Sequence, residues 1–196
     1  MDKKPKILWC GDIVAMTGFA RVTENVLSRI RDNFEIVVLG NNWWGDPNPL
    51  QEFYKMYPSS NRYQQAPFGE ERIREVVEKE NPDVVFTIND MWIINEQYKR
   101  IQDLHQQKKF KFVGYAPMDS YGWIGGLADT ANDWDAIISY TEFGAREFIQ
   151  GGIKKPIAVI PHGVTPGQFY PEDKIEARKK LGLKEDLFIV FNGNRN

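Results

Sequence analysis

The chemistry that the chain can do begins where the apolar run Lys6 to Cys10 empties into Gly11-Asp12 and then into Met16-Thr17-Gly18-Phe19-Ala20-Arg21. Beyond that loop Phe19, Val22, Val26, Leu27 and Ile30 recur at helical spacing, so the order is strand, loop, helix. A helix start reached from the carboxyl end of a first parallel strand turns backbone N–H groups toward an anion, and the helix dipole adds to the attraction. Gly18 enters that helix and Arg21 lies beside it; as bland alternatives, Gly18 is a turn glycine and Arg21 a solvated helix residue. Three spaced glycines are missing here, which removes most support for a nicotinamide or flavin fingerprint and hence for an oxidoreductase. Nor is there a serine in a glycine-flanked elbow, a lysine-bearing phosphate loop, a cysteine-histidine cluster with metal spacing, or an Asp-x-Asp triplet at a strand end. The simplest chemistry is metal-free, with no bound cofactor.

Composition narrows the class further. The 196 residues are 42% hydrophobic and 13% aromatic, enough for one ordinary core, and the formal charge of -2 carries no basic surplus that would favour nucleic acid or an anionic membrane. Cys10 is the single cysteine, so no intrachain disulfide forms. The sequence shows neither a signal-peptide pattern nor an apolar run of bilayer length, and a cytoplasmic setting is expected.

The elements that must position these residues alternate from end to end. Strands are expected at Lys6 to Cys10, Phe34 to Leu39, Val84 to Ile88, Lys111 to Tyr115, Ala136 to Tyr140 and Ile157 to Ile160, the last buried on both faces, with an edge strand within Phe53 to Tyr57. Helices are expected after the first strand, over Gly69 to Glu80, over Trp92 to Gln107, over Phe143 to Gln150 behind a Thr141-Glu142 cap, and over Ile175 to Leu181 with Gly182 as its stop. This is the pattern of an α/β fold, a Rossmann-like parallel sheet with helices on both faces. Between Gly40 and Phe68 lies a polar, aromatic stretch in which Trp43-Trp44 offers a stacking platform, although at least one of the pair is expected to plug the core. His105, in a polar last helical turn, is expected at the surface. A final apolar run, Leu187 to Phe191, reads as a strand that nothing downstream covers.

The segments AVIPHGVTPGQFYP, ARKKLGL and LFIVFNGNRN, from Ala158 to Asn196, resemble the interdomain segment of family 4-type glycosyltransferases of the GT-B fold. NPDVVFTIND and WDAIISYTEFGAREF are similar to that family's fourth strand and to its sixth strand with the following helix. The resemblance implies the N-terminal half of a GT-B fold: residues 1–165 as an acceptor-side Rossmann-like domain, 166–186 as interdomain linker and short helix, and 187–196 as the first strand of a donor-binding domain otherwise absent. It also implies site roles. Gly18 and Arg195 correspond to positions that bind the donor phosphates; Arg21, Asn89, Asp90, His162 and Gly163 line the acceptor and sugar cleft. Many relatives carry a histidine at the end of the Lys111 to Tyr115 strand, near the transferred sugar. This chain has none there, and Asp119 is the nearest polar substitute, a catalytic base or an acceptor-orienting group.

The function implied is transfer of a hexosyl-type sugar from a nucleotide-sugar, as substrate, to a glycan, lipid or small-molecule acceptor. The lysine and glutamate pair that usually grip the donor would lie beyond Asn196, so this chain alone is expected to be inactive, its partner domain supplied in cis or in trans. The alternative is a non-catalytic binding or assembly module that retains only the Rossmann-like domain.

Overall fold

The computed structural model describes residues 3–60, 66–122, 126 and 130–193. They form two compact units, Met1–His162 and Gly163–Asn196. In the first, seven parallel strands stand in the order β3-β2-β1-β4-β5-β6-β7: β1 Lys6–Asp12, β2 Glu35–Asn41, β3 Lys55–Pro58, β4 Val84–Ile88, β5 Lys111–Ala116, β6 Ala136–Ser139 and β7 Ile157–Val159. The expected α/β Rossmann-like sheet is therefore present, with a short edge strand at β3. Its helices are α1 Gly18–Ile30, α2 Ile73–Glu80, α3 Met91–Lys99, α4 Gln102–Gln106 and α5 Glu142–Gln150.

Strand alternation sorts the core into two layers. Leu8, Cys10, Val37, Leu39, Val85 and Phe112 face α2, α3, α4 and α5, whereas Trp9, Ile36, Val38 and Tyr115 face Leu27 of α1 and Tyr54. Both faces are covered, as an all-parallel sheet requires. Gly114 on β5 leaves the space that the Trp134 ring fills, because a Cβ there would come within 2.3 Å of the ring.

Several elements depart from the expected bounds. The helix after Gly69 starts only at Ile73, and the Trp92 to Gln107 helix is two, α3 and α4, broken at Arg100 and Ile101, where Ile101 leaves helical geometry with φ of -128° and becomes fully buried. β7 is not buried on both faces. It pairs only with β6, its Ala158 is exposed, and Ile160 just beyond is 49% exposed, because the last strand has a free edge.

His105 corrects a second expectation. It lies between Tyr98 Oη, 2.9 Å from Nδ1, and Asp135 Oδ2, 2.7 Å from Nε2. Asp135 also accepts from Lys111 Nζ at 2.8 Å and from the Phe112 N–H at 2.9 Å, so one carboxylate ties α4 to β5 and to the entrance of β6. A partner thirty residues away, as Asp135 is, is invisible to a reading of local polarity.

The second unit contains α6, Lys174–Lys180. Asp173 caps it by accepting from the N–H groups of Ile175 and Glu176, and Gly182 closes it with φ of +66° as Leu183 N–H bonds Arg178 O and Gly182 N–H bonds Lys179 O. Arg178 in turn donates to the carbonyls of Lys184, Glu185 and Leu187. The expected strand at Leu187 to Phe191 is not formed: these residues are in no sheet, and Phe188 is 92% exposed. An apolar β-type run gains its ladder only from a neighbouring strand, and none pairs with it among the described residues.

Burial alone would push the Asp135 carboxyl up, but Lys111, the Phe112 N–H and His105 together bring it down to about 2. A depressed carboxyl contributes stability that is fully present above its unfolded value of about 4 and is lost as pH falls toward 2. Asp135→Asn should therefore cost roughly 1–3 kcal/mol at pH 7, and urea melts should show that cost shrinking between about pH 4 and pH 2. A pH-independent difference between variant and parent would refute the assignment.

Candidate functional site

The strand order reverses its direction of growth between β1 and β4, and the crevice at that point opens at the carboxyl ends of the strands, where ligands bind in open α/β sheets. Two groups of side chains gather at this end. The first sits on β1 and β2. Asp12, buried at the last position of β1, accepts from Thr17 Oγ1 at 2.6 Å and from Asn42 Nδ2 at 2.8 Å, joining the loop before α1 to the loop after β2. Thr17 Oγ1 also caps α1 by accepting from Ala20 N–H at 3.1 Å, which leaves the amides of Gly18 and Phe19 as the open donors of that helix end. A Cβ at Gly18 would meet nothing within 4 Å, so the approach to this helix start is clear. Arg21 is exposed and makes no ion pair among the described residues. Beside Asp12 in the register, Asn41 is fully buried, and neither side-chain amide atom has a hydrogen-bond partner.

The second group sits on β4 to β7. Tyr115, on β5, donates to the Ile160 carbonyl at 2.6 Å and so fixes the exit of β7 against the centre of the sheet. Its ring meets Tyr140 at 4.5 Å between centroids and His162 at 5.6 Å; Tyr140 and His162 lie 4.1 Å apart, and Phe19 of α1 reaches Tyr140 at 6.5 Å. The Tyr140 hydroxyl is enclosed and has no hydrogen-bond partner among the described residues. Burial, then the neighbouring Tyr115 and Asp90, raise its pKa, and burial lowers that of His162.

Asn89 and Asp90 follow β4 directly. Asn89 is buried, and its Oδ1 accepts from Asp90 N–H at 2.9 Å. Asp90 occupies the N-cap position of α3, yet its carboxylate makes no capping bond. Partial burial, and after it the charge of Asp119, hold the Asp90 carboxyl above its ordinary value. Asp119 itself is exposed on the loop after β5. That loop is anchored from α5, where the buried Glu147 carboxylate accepts from Gly122 N–H at 3.1 Å, with Gly122 at φ of +72°.

The fold thus puts Asp90, Asp119 and His162 at the same end of the sheet, with Asn89 behind Asp90. Gly18 and Arg21 belong to the helix start over β1. Gly163 is the first residue of the second unit, and Arg195 lies outside the described residues. Sequence reasoning did not single out Asp12, Asn41, Tyr115 or Tyr140. Each ends or follows a strand, and a polar or phenolic residue at that position was the available signal. Of the two adjacent tryptophans, Trp43 plugs the core as expected, its indole donating to Asp46 O at 2.9 Å, and Trp44 is 57% exposed. No group of acidic, histidine or cysteine side chains with metal-binding geometry occurs among the described residues.

The sheet order and the helices on both faces define a Rossmann-like α/β domain. No family model matches the sequence. A D-inositol 3-phosphate glycosyltransferase from Stackebrandtia nassauensis is 27% identical over 106 residues, which is 50% of this chain and 24% of that protein. Among solved structures, Anabaena HepE in complex with UDP and glucose superposes with a TM-score of 0.54 at 15% identity, over 91% of this chain and 50% of that one. A UDP-glucosyltransferase from Polygonum tinctorium aligns at 9% identity with a TM-score of 0.46, over 92% of this chain and 56% of that one. The chain therefore spans about a quarter of the curated relative and about half of the solved structures. It is similar in sequence over half its length to the curated Stackebrandtia glycosyltransferase, and Rossmann-like in fold.

A carboxyl raised in the folded state destabilises it once ionised, so that contribution is absent below the unfolded pKa of about 4 and grows as pH rises. Asp90→Asn should raise Tm at pH 7 and leave it unchanged near pH 3, the signature of a carboxylate kept for something other than stability. A lower Tm at pH 7 would show instead that Asp90 serves the helix.

Proposed function

We propose that this chain is the acceptor-side half of a nucleotide-sugar-dependent glycosyltransferase of the GT-B type. The observation that carries the reading is the 27% identity with a glycosyltransferase over 106 residues. The carboxyl-end crevice supports it, because groups there point to binding rather than to packing: an uncapped Asp90, an enclosed and unpartnered Tyr140 hydroxyl, and an accessible helix start at Gly18.

In this reading the amides at Gly18, and Arg195 from the end of the chain, meet the donor phosphates and stabilise the leaving nucleoside diphosphate. Arg21, Asn89, Asp90 and His162, with Gly163 next in sequence, contact the acceptor and the sugar, and Asp119 orients or deprotonates the attacking hydroxyl. The nucleotide-sugar enters as substrate, the reaction uses no metal, and the setting is cytoplasmic; no described helix is long and apolar enough to cross a membrane. Donor orientation falls to a second domain, in cis or in trans, with residues 187–196 as the beginning of it. Positioning two reactants is worth roughly 7–11 kcal/mol of barrier, so a half that binds the acceptor and cannot orient the donor loses most of its rate.

Assay of this chain against a panel of nucleotide-sugars, alone and with the downstream domain fused or added, tests the proposal. Turnover should appear only with the longer protein. Equal turnover by the isolated chain would sink the division of labour, and silence from both would replace glycosyl transfer by the binding-module alternative.

A further inference from the structure

Exposed aromatic rings stand on the same rim as the carboxylates. Trp92, two residues after Asp90, is 51% exposed and meets Phe68 edge-on, with centroids 5.4 Å apart and planes at 89°. Phe68 is itself fixed: its carbonyl accepts from Gln97 Nε2 at 2.5 Å, and the preceding Pro67 carbonyl accepts from Asn42 N–H at 2.6 Å. Tyr121, two residues after Asp119, is 83% exposed and packs edge-on against Phe143 at 4.8 Å. Each ring is thus held by another ring while much of its surface stays open to solvent. Each lies two residues along the chain from a carboxylate.

This pairing has a chemical meaning. Open aromatic faces receive C–H-rich, weakly polar surfaces, and carboxylates accept hydrogen bonds from hydroxyl groups. A pyranose ring offers both. Beside Asp90 and Asp119, which already repel each other, a phosphate would add a further like charge, so an uncharged ligand suits this part of the rim. A lipid surface does not fit, because the rings are separated by charged and polar residues and do not form one apolar patch. The Tyr140 hydroxyl near Asp90, enclosed and without a hydrogen-bond partner among the described residues, is a further unmatched polar group at this end of the sheet.

We propose that the acceptor bound at this rim is an uncharged, hydroxyl-rich glycan, stacked on Trp92 and Tyr121 and hydrogen-bonded by Asp90 and Asp119. The inference rests on the glycosyltransferase reading and makes its acceptor a neutral oligosaccharide, unlike the inositol phosphate in the name of the similar Stackebrandtia enzyme.

The test is calorimetry and saturation-transfer NMR on this chain with maltotriose, cellotriose and chitotriose as neutral probes, myo-inositol 1-phosphate as the anionic one, and vesicles of phosphatidylcholine with phosphatidylglycerol. At least one trisaccharide should bind in the millimolar range or tighter, and Trp92→Ala and Asp119→Ala should each weaken it by about tenfold. Both residues are largely exposed, and circular dichroism should show both variants folded. Stronger binding of the inositol phosphate or of vesicles, silence from all three trisaccharides, or trisaccharide binding indifferent to both variants would each overturn the proposal. Turnover of the longer protein separates the two readings. Transfer to an anionic acceptor sinks the glycan assignment alone, whereas glycan binding without any transfer sinks glycosyl transfer alone.

Discussion

β1 is hydrogen-bonded on both edges along most of its length, to β2 from Lys6 to Asp12 and to β4 from Ile7 to Cys10, and the rest of the structure depends on that double pairing. A strand saturated on both sides forces the units that follow it to grow in opposite directions. The loops leaving β1 and β4 then diverge, and a crevice opens at their carboxyl ends for a purely topological reason. Gly11 shows how tightly the pairing is packed. A Cβ on it would come within 2.6 Å of the Ile88 side chain and 3.2 Å of the Ile88 carbonyl.

Polar groups divide by end of the sheet. At the amino ends the charged groups are matched: Glu80 meets Lys6, Lys55 and Tyr57, and Asp135 meets His105 and Lys111, although the buried Trp134 indole N–H has no partner among the described residues. Most of them have fixed partners, which suits a role in holding elements together. At the carboxyl ends the matching is incomplete. Asp12 has two partners, whereas the Asn41 amide and the Tyr140 hydroxyl have none and Asp90 caps nothing. Buried groups left unmatched cost stability, and a domain that carries several at one end is organised for something other than its own stability there.

The second unit follows a different logic. α6 is capped at both ends by local chemistry, Asp173 at one and Gly182 at the other, so a seven-residue helix persists although none of its residues is buried. The run from Leu187 to Phe191 has the composition of a strand and lacks a neighbour, and it remains exposed. Local capping is sufficient for a short helix, whereas a strand exists only in a ladder.

Periodicity and punctuation in the sequence determined the alternating elements, the Thr141 cap and the helix start at Gly18, because each depends on contacts within a few residues, and the strand–helix alternation in turn implied a parallel sheet. Asn89, Asp90, Asp119 and His162 were legible as candidates because they end or follow strands. The tertiary structure alone decided what those side chains face. The meeting of Tyr115, Tyr140 and His162, the charge coupling of Asp90 to Asp119, the Asp12 clamp and the bridging of His105 to Asp135 all join residues from different elements. The exposed face of β7 and the lack of strand geometry at 187–191 share one reason: composition tells what a segment can bury or pair, and only its neighbours in the assembled sheet decide whether it does.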